Sequence, residues 1–302
     1  MKPTTCDWQG VFPAVMTQFK SDGSVDIDLT VSAVRRLIAS GVNGLIMLGT
    51  LGENTSLSPA EKSEVLRAAV EVAGGRLPVL SGVAEYTTDL ALAQCQRAAE
   101  AGCDGLMVLP CMVYHADRRE TITYFRAVAD HTELPIMVYN NPVGYKVDIT
   151  PEMFAELADA DRIVAIKESS TDTRRITEIL NLVGNRYLLF CGVDDIILEA
   201  LMLGCTGWVS GLVNAFPEES VALFRAAVNG DLKRALELYR WFMPLLQLDT
   251  QLKLVQYIKF AMQITGLGSE MVRPPRLPLV GEERRRIEGI VTRAIATRPS
   301  LL

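Results

Sequence analysis

Residues 105–141 read GLMVLPCMVYHADRRETITYFRAVADHTELPIMVYNN, and this stretch decides the fold. A short run of Leu, Met and Val at 105–110 is followed by a longer stretch with apolar residues at helical spacing. A second short apolar run, 135–141, closes the unit. Strand, crossover and strand in that order describe a parallel pair covered by a helix. The alternation recurs along the chain, with further strand candidates at 10–19, 44–49, 78–84, 163–169, 187–192 and 207–211. Eight such units predict an α/β fold closed into a (β/α)8 TIM barrel in preference to an open doubly wound sheet.

Local signals punctuate the same pattern. Ser58-Pro59-Ala60-Glu61 sets a cap, a first-turn proline and a capping-box acid in register, and Thr150-Pro151-Glu152 combines a cap with proline at the first helical position. Gly74-Gly75 and Ala101-Gly102 supply helix stops. After about residue 230 the strand signal ends. Helical stretches at 231–246, 247–266 and 281–297, with a proline-rich link at Pro274-Pro275 and Pro278, predict a small all-helical appendage. The expected division is therefore a catalytic barrel over 1–230 and a helical region over 231–302, the latter too small to hold a core alone.

Composition narrows the function. Of 302 residues, 49% are hydrophobic and 22% charged, enough to bury a sizeable core and unlike a disordered chain. The net charge of −6 is spread along the sequence, and no basic stripe with interleaved aromatics suggests a nucleic-acid surface. Six cysteines, at 6, 95, 103, 111, 191 and 205, form no CxxC pair. Neither zinc nor a disulfide framework is expected, and a reducing cytoplasm fits best. No basic-then-apolar leader or long apolar run points to export or a membrane.

In a barrel of this kind chemistry sits at the carboxyl ends of the strands. The polar residues there are Gly49-Thr50-Leu51-Gly52-Glu53-Asn54, Tyr139-Asn140-Asn141-Pro142, Ile166-Lys167-Glu168-Ser169 and Gly192-Val193-Asp194-Asp195. Lys167 is the sharpest, because it projects from an apolar strand. Desolvation of its ammonium would free an amine able to attack a carbonyl. The alternative is a lysine buried in an ion pair, for which Glu168 is a poor partner because adjacent strand residues face opposite ways. Tyr139 is either packing or a proton carrier. The turn at 49–52 suits a carboxylate, although glycine turns after strands are common, and Glu53 reads as structural. Asp194 and Asp195 read as helix caps or as ligands of substrate hydroxyls. His115 and His131 have no partner at metal-ligand spacing, and no metal or cofactor is expected.

Taken together, GTLGE at 49–53, YNNP at 139–142, IKES at 166–169 and GVDD at 192–195 resemble the family that includes dihydrodipicolinate synthase and N-acetylneuraminate lyase, among the Schiff-base class I aldolases. The resemblance runs from Gly10 to Gly211. It implies Lys167 as the imine-forming lysine, Tyr139 as proton donor and acceptor, and Thr50 with the Leu51 amide as the holders of a 2-oxo acid carboxylate. Gly52, Gly192, Asp194 and Val209 would line the substrate. It further implies a small-molecule 2-oxo acid as ligand, no cofactor, and a homotetramer built as a dimer of dimers.

The departures from that pattern matter equally. Leu51 stands where the synthases usually have a second threonine. Met112 lies near the position of their interface tyrosine, with Tyr114 displaced, and the arginine expected after the YNxP motif is replaced by Gly144-Tyr145-Lys146. Tyr114, Asn141 and Lys146 are thus further candidates, although Lys146 lacks a bidentate fork. The departures favour a lyase that cleaves, dehydrates or deaminates a hydroxylated 2-oxo acid, such as a sugar acid or a hydroxyproline breakdown product. The rivals are a synthase condensing pyruvate with aspartate semialdehyde and a non-catalytic 2-oxo acid binder.

Overall fold

The computed structural model describes residues 6–301. In chain order the elements are β1 (Gly10–Pro13), α1 (Ile27–Ala39), β2 (Leu45–Met47), α2 (Pro59–Ala73), β3 (Val79–Val83), α3 (Thr88–Glu100), β4 (Gly105–Val108), α4 (Arg118–His131) and β5 (Ile136–Asn140). There follow α5 (Pro142–Tyr145), α6 (Pro151–Glu156), β6 (Ile163–Glu168), α7 (Arg174–Val183), β7 (Leu188–Cys191), α8 (Ile197–Met202), β8 (Gly207–Ser210) and α9 (Pro217–Val228). The C-terminal helices are α10 (Leu232–Leu246), α11 (Leu254–Thr265) and α12 (Gly281–Ala296).

All eight strands are parallel and pair in the order β1-β8-β7-β6-β5-β4-β3-β2. Just past the end of β1, Ala14 bridges to Ile46 and the Val15 N–H donates to Ile46 O at 2.8 Å, which brings β1 and β2 together. The result is the expected TIM barrel. Its strands are continuous apolar runs because helices cover one face and side chains fill the other. Phe12 and Phe190 meet edge to face at 5.1 Å inside it. Gly44 and Gly207 leave room for these rings, since a Cβ at either would fall 2.1 Å from ring carbon.

The caps read from sequence are present. Ser58 and Glu61 form a reciprocal capping box on α2, Thr150 caps α6, and Gly74 ends α2 in the left-handed conformation. The C-terminal helices differ from expectation at one end: the stretch predicted as helix from 247 forms it only from Leu254. The intervening residues turn back on α10, with Leu248 and Asp249 donating to Leu245 O and Leu246 O and the Thr250 and Gln251 side chains both donating to Gln247 O. Fully buried Leu248 anchors the turn. No helix among the described residues is long and apolar enough to cross a membrane.

One buried ion pair fastens these helices to the barrel. Lys259 on α11 and Glu53 in the loop after β2 are both completely buried and meet at 2.7 Å. Lys259 also donates to Met271 O at 2.7 Å and lies 4.3 Å above the Phe19 ring. Glu53 further accepts the Arg273 N–H at 3.1 Å. Glu53 thus has a structural role, as an ion-pair anchor and not as a side-chain cap of the loop that follows it. Removing one member of a buried pair costs about 3–5 kcal/mol when the other charge is stranded; Arg276, 3.6 Å from Glu53, would keep part of that charge paired and places the loss of Lys259 toward the lower figure. Lys259→Met should therefore lower unfolding free energy by that amount in a urea titration, and Glu53→Gln on the same background should recover most of it. Near-wild-type stability of Lys259→Met would refute the clamp.

Candidate active site

β6 is buried along its whole length, and its alternation sends Lys167 to the face opposite Glu168. The Glu168 carboxylate accepts from Asn140 Nδ2 at 3.0 Å and from the Ser170 N–H at 2.6 Å. Lys167 is aligned across the ladder with Tyr139 on β5 and Phe190 on β7, so three neighbouring strands point these side chains into one space. Its Nζ lies 3.8 Å above the Tyr139 ring. No carboxylate among the described residues stands within 4.0 Å of it. Burial is the chief influence and lowers the lysine pKa to about 8, opposed by the more distant charges of Asp249 and Asp194. Ser169, two residues on and on the same face, has its Oγ buried beside the Tyr139 phenol, whose pKa it pulls down.

The glycine after β7 makes the lysine's rotamer possible. A Cβ at Gly192 would lie 2.0 Å from Ser169 Oγ and 2.6 Å from Lys167 Cε. Gly192 is therefore part of the wall that aims the lysine.

Tyr139 is buried, which pushes its phenol up to about 12. Asn141 links it to the next turn: Nδ2 donates to Tyr139 Oη at 3.1 Å, while Oδ1 accepts the Gly144 N–H at 2.8 Å and caps α5. That short helix delivers Tyr145, whose ring meets Tyr139 edge to face at 5.8 Å and whose hydroxyl is hydrogen-bonded to Thr50 Oγ1. Tyr145 is the hydroxyl partner of Thr50 within this one chain. The loop that carries Thr50 enters and leaves through non-glycine residues with positive φ, Leu48 at 56° and Glu53 at 52°. Such backbone is held against its preference by the surroundings, here by the Glu53 ion pair with Lys259 and by the Asn54 Nδ2 bond to the Leu48 carbonyl. The Leu51 and Gly52 N–H groups have no protein acceptor among the described residues.

Asp194 is fully buried and accepts from Trp208 Nε1 at 2.9 Å, Ser210 Oγ at 3.0 Å and the Leu212 N–H at 2.9 Å. It ties β8 to the loop after β7 and caps no helix of its own. Burial nevertheless raises its pKa to about 6, against the effect of those three donors. Val209 is buried on β8 opposite Phe12. Asp195 gives its carbonyl to Tyr239 of α10.

Other candidates stand apart. Tyr114 is 58% exposed on the rim and donates to Glu120 of α4 at 2.9 Å. The Lys146 ammonium, also exposed, is turned back to Val143 O at 2.9 Å. His115 and His131 are exposed, and no cluster of potential metal ligands occurs among the described residues. Sequence reasoning missed two residues. Tyr145 carries no signal of its own in the sequence, where it stands beside the position that lacks the expected arginine. Asp249 was hidden in a stretch read as helix; its carboxyl Oδ1 lies against Gly211 at the end of β8, where an added Cβ would be 2.0 Å away.

The assembled group comprises an amine of lowered basicity, a phenol in ring contact with it, a hydroxyl beside free backbone amides, and two carboxyls. These are the parts needed to bind a carboxylate, attack a carbonyl and move protons.

Comparison with known proteins agrees with that geometry. The family model described as the dihydrodipicolinate synthetase family matches residues 7–294. A 4-hydroxy-tetrahydrodipicolinate synthase of Methanothrix thermoacetophila is 31% identical over 290 residues, 95% of this chain and 97% of that protein. An uncharacterized DapA-like lyase of Rhizobium meliloti is 34% identical over 296 residues, covering 93% and 97%. Among solved structures, dihydrodipicolinate synthase from Aquifex aeolicus superposes with a TM-score of 0.90 at 28% identity, covering 95% of this chain and 98% of that one. A prophage protein of the same family from E. coli K12, solved in complex with pyruvate, gives 0.89 at 29% identity, covering 95% and 99%. The chain belongs to the dihydrodipicolinate synthetase family and is a lyase of that family.

Proposed function

We propose that the enzyme captures a hydroxylated 2-oxo acid as an imine on Lys167 and breaks a bond of the captured molecule. The observation that carries this reading is the buried Lys167 amine, in contact with Tyr139 and without an ion pair. The amine attacks the C2 carbonyl, and the carbinolamine loses water to give a protonated imine. Tyr139, itself held by Asn141, shuttles the protons of these steps and takes one from C3. The imine nitrogen then accepts the electron pair as the enamine forms. Thr50 Oγ1 and the free Leu51 and Gly52 amides supply donors for the substrate carboxylate. Gly192, Asp194 and Val209 border the rest of the pocket.

The departures from the synthase pattern support a lyase other than the lysine-pathway synthase. Lys146, where an arginine is expected, has its ammonium turned back to Val143 O and is not placed to receive a second carboxylate. We further propose a homotetrameric, cytoplasmic enzyme. The buried thiols Cys95, Cys103, Cys191 and Cys205 suit a reducing compartment.

Borohydride with pyruvate should attach one reduced pyruvyl group to the protein, located at Lys167 by peptide mass spectrometry; an unmodified Lys167 would sink the mechanism. The initial trapping rate should rise with pH through about 8, because a depressed lysine pKa makes the free amine available there. A rate still climbing steeply above pH ~10, the range of an ordinary lysine, would contradict the desolvated amine. Gly192→Ala should displace Lys167, lowering stability by about 1–3 kcal/mol and trapping by roughly 100-fold. Wild-type trapping in that variant would show that the glycine does not set the rotamer.

A further inference from the structure

Asp249 is a half-buried carboxyl whose Oδ1 is fully enclosed and has no protein partner. It sits in the turn between α10 and α11, where its N–H donates to Leu246 O at 3.1 Å and its neighbour Leu248 is wholly buried. Its Oδ1 is buried without a hydrogen-bond partner. The side chain is pressed onto the backbone of Gly211, and the Cβ that Gly211 lacks would stand 2.0 Å from Asp249 Oδ1 and 2.6 Å from Leu51 Cδ1. The carboxyl is therefore wedged between the end of β8 and the loop that carries Thr50. Lys167 and Tyr139 both feel its charge, although it lies beyond ion-pair reach of Lys167.

The contrast with Asp194 is informative. Asp194 receives three hydrogen bonds and holds two loops together. An unpartnered buried Oδ1 is destabilising, so an ordinary structural role does not account for Asp249. An enclosed, unpartnered Oδ1 at the end of β8, beside Leu51 of the Thr50 loop, is by contrast placed to meet a molecule held in the barrel mouth.

We propose that Asp249 contacts the substrate and donates the proton that lets a hydroxyl leave from C4 of a 2-oxo acid held on Lys167. The inference rests on the imine reading and specifies the reaction as β-elimination of water. Tyr139 removes the C3 proton and leaves an enamine. The enamine pair then forms the C3=C4 bond as the C4–O bond breaks, its electrons going to oxygen, and Asp249 transfers its proton to that oxygen. Water is lost, Asp249 remains as carboxylate, and the product is a conjugated iminium that water hydrolyses from the lysine. Burial and the adjacent Asp194 both push Asp249 well above the usual carboxylate range, against the pull of Lys167. That direction favours the protonated form, which a donor to a poor leaving group requires.

The test uses the full chain with 4-hydroxy-2-oxobutanoate, 4-hydroxy-2-oxopentanoate and 4-hydroxy-2-oxoglutarate, read by mass spectrometry for loss of water and by pyruvate release. The wild type should eliminate water from at least one of them. Asp249→Asn should reduce kcat for elimination by about 100-fold or more with little change in KM, and Asp249→Glu should restore part of it. Borohydride capture of pyruvate by Asp249→Asn reports that the pocket has folded. Elimination by Asp249→Asn at the wild-type rate would overturn the proposal, as would products consisting only of pyruvate and an aldehyde. So would no turnover of the three acids by wild-type protein that still traps pyruvate. Failure of the wild type to trap pyruvate would instead remove the imine on which the proposal stands.

Discussion

Desolvation of the Lys167 amine is the constraint on which the rest of the site depends. A lysine on an exposed strand end would hold its proton through neutral pH and attack no carbonyl. Within the barrel mouth the charged form loses hydration and gains no close carboxylate, so the neutral amine becomes accessible near pH 8. The barrel supplies this environment by geometry. Parallel pairing aligns Tyr139, Lys167 and Phe190 on neighbouring strands, and the interior beneath is filled by Phe12 and Phe190.

Around that amine, each polar group is placed by a different device. Tyr139 is held through Asn141, which also caps the helix bringing Tyr145 to Thr50. At the ends of the Thr50 loop, Glu53 is locked to Lys259 and the Leu48 carbonyl accepts from Asn54 Nδ2. The C-terminal helices thus have two consequences for the site. They brace the Thr50 loop through Lys259, and they bring Asp249 to Gly211.

Most of the fold was legible in sequence. Each of the eight apolar runs holds a strand, seven of them shortened by one to three residues and the first, read over 10–19, cut back to Gly10–Pro13, and the cap signals at Ser58 and Thr150 formed as expected. Lys167 and Tyr139 were legible because a polar residue ending an apolar strand breaks the pattern. Thr50, Asn141 and Asp194 stand in legible motifs, and Asn141 bonds to near neighbours, yet the partners of Thr50 and Asp194 lie on other elements. Nothing local to Asp194 reveals that Trp208, Ser210 and Leu212 will satisfy it. Tyr145 and Asp249 were missed for the same reason. An aromatic in a short loop and an acid in a polar stretch near helices are commonplace, and only the closure of the barrel and the packing of α10 bring them to Thr50 and Gly211. The turn at 247–253 was read as helix because its interruption depends on Leu248 burying itself and on side chains bonding back to Gln247.

The most direct measurement is a crystal structure of the protein soaked with pyruvate. The expected result is continuous electron density from Lys167 Nζ to C2, with the carboxylate against Thr50 Oγ1 and the Leu51 amide and C3 facing Tyr139. Pyruvate held without a bond to Lys167, or bonded to a different lysine, would contradict the central claim that this desolvated amine is the nucleophile.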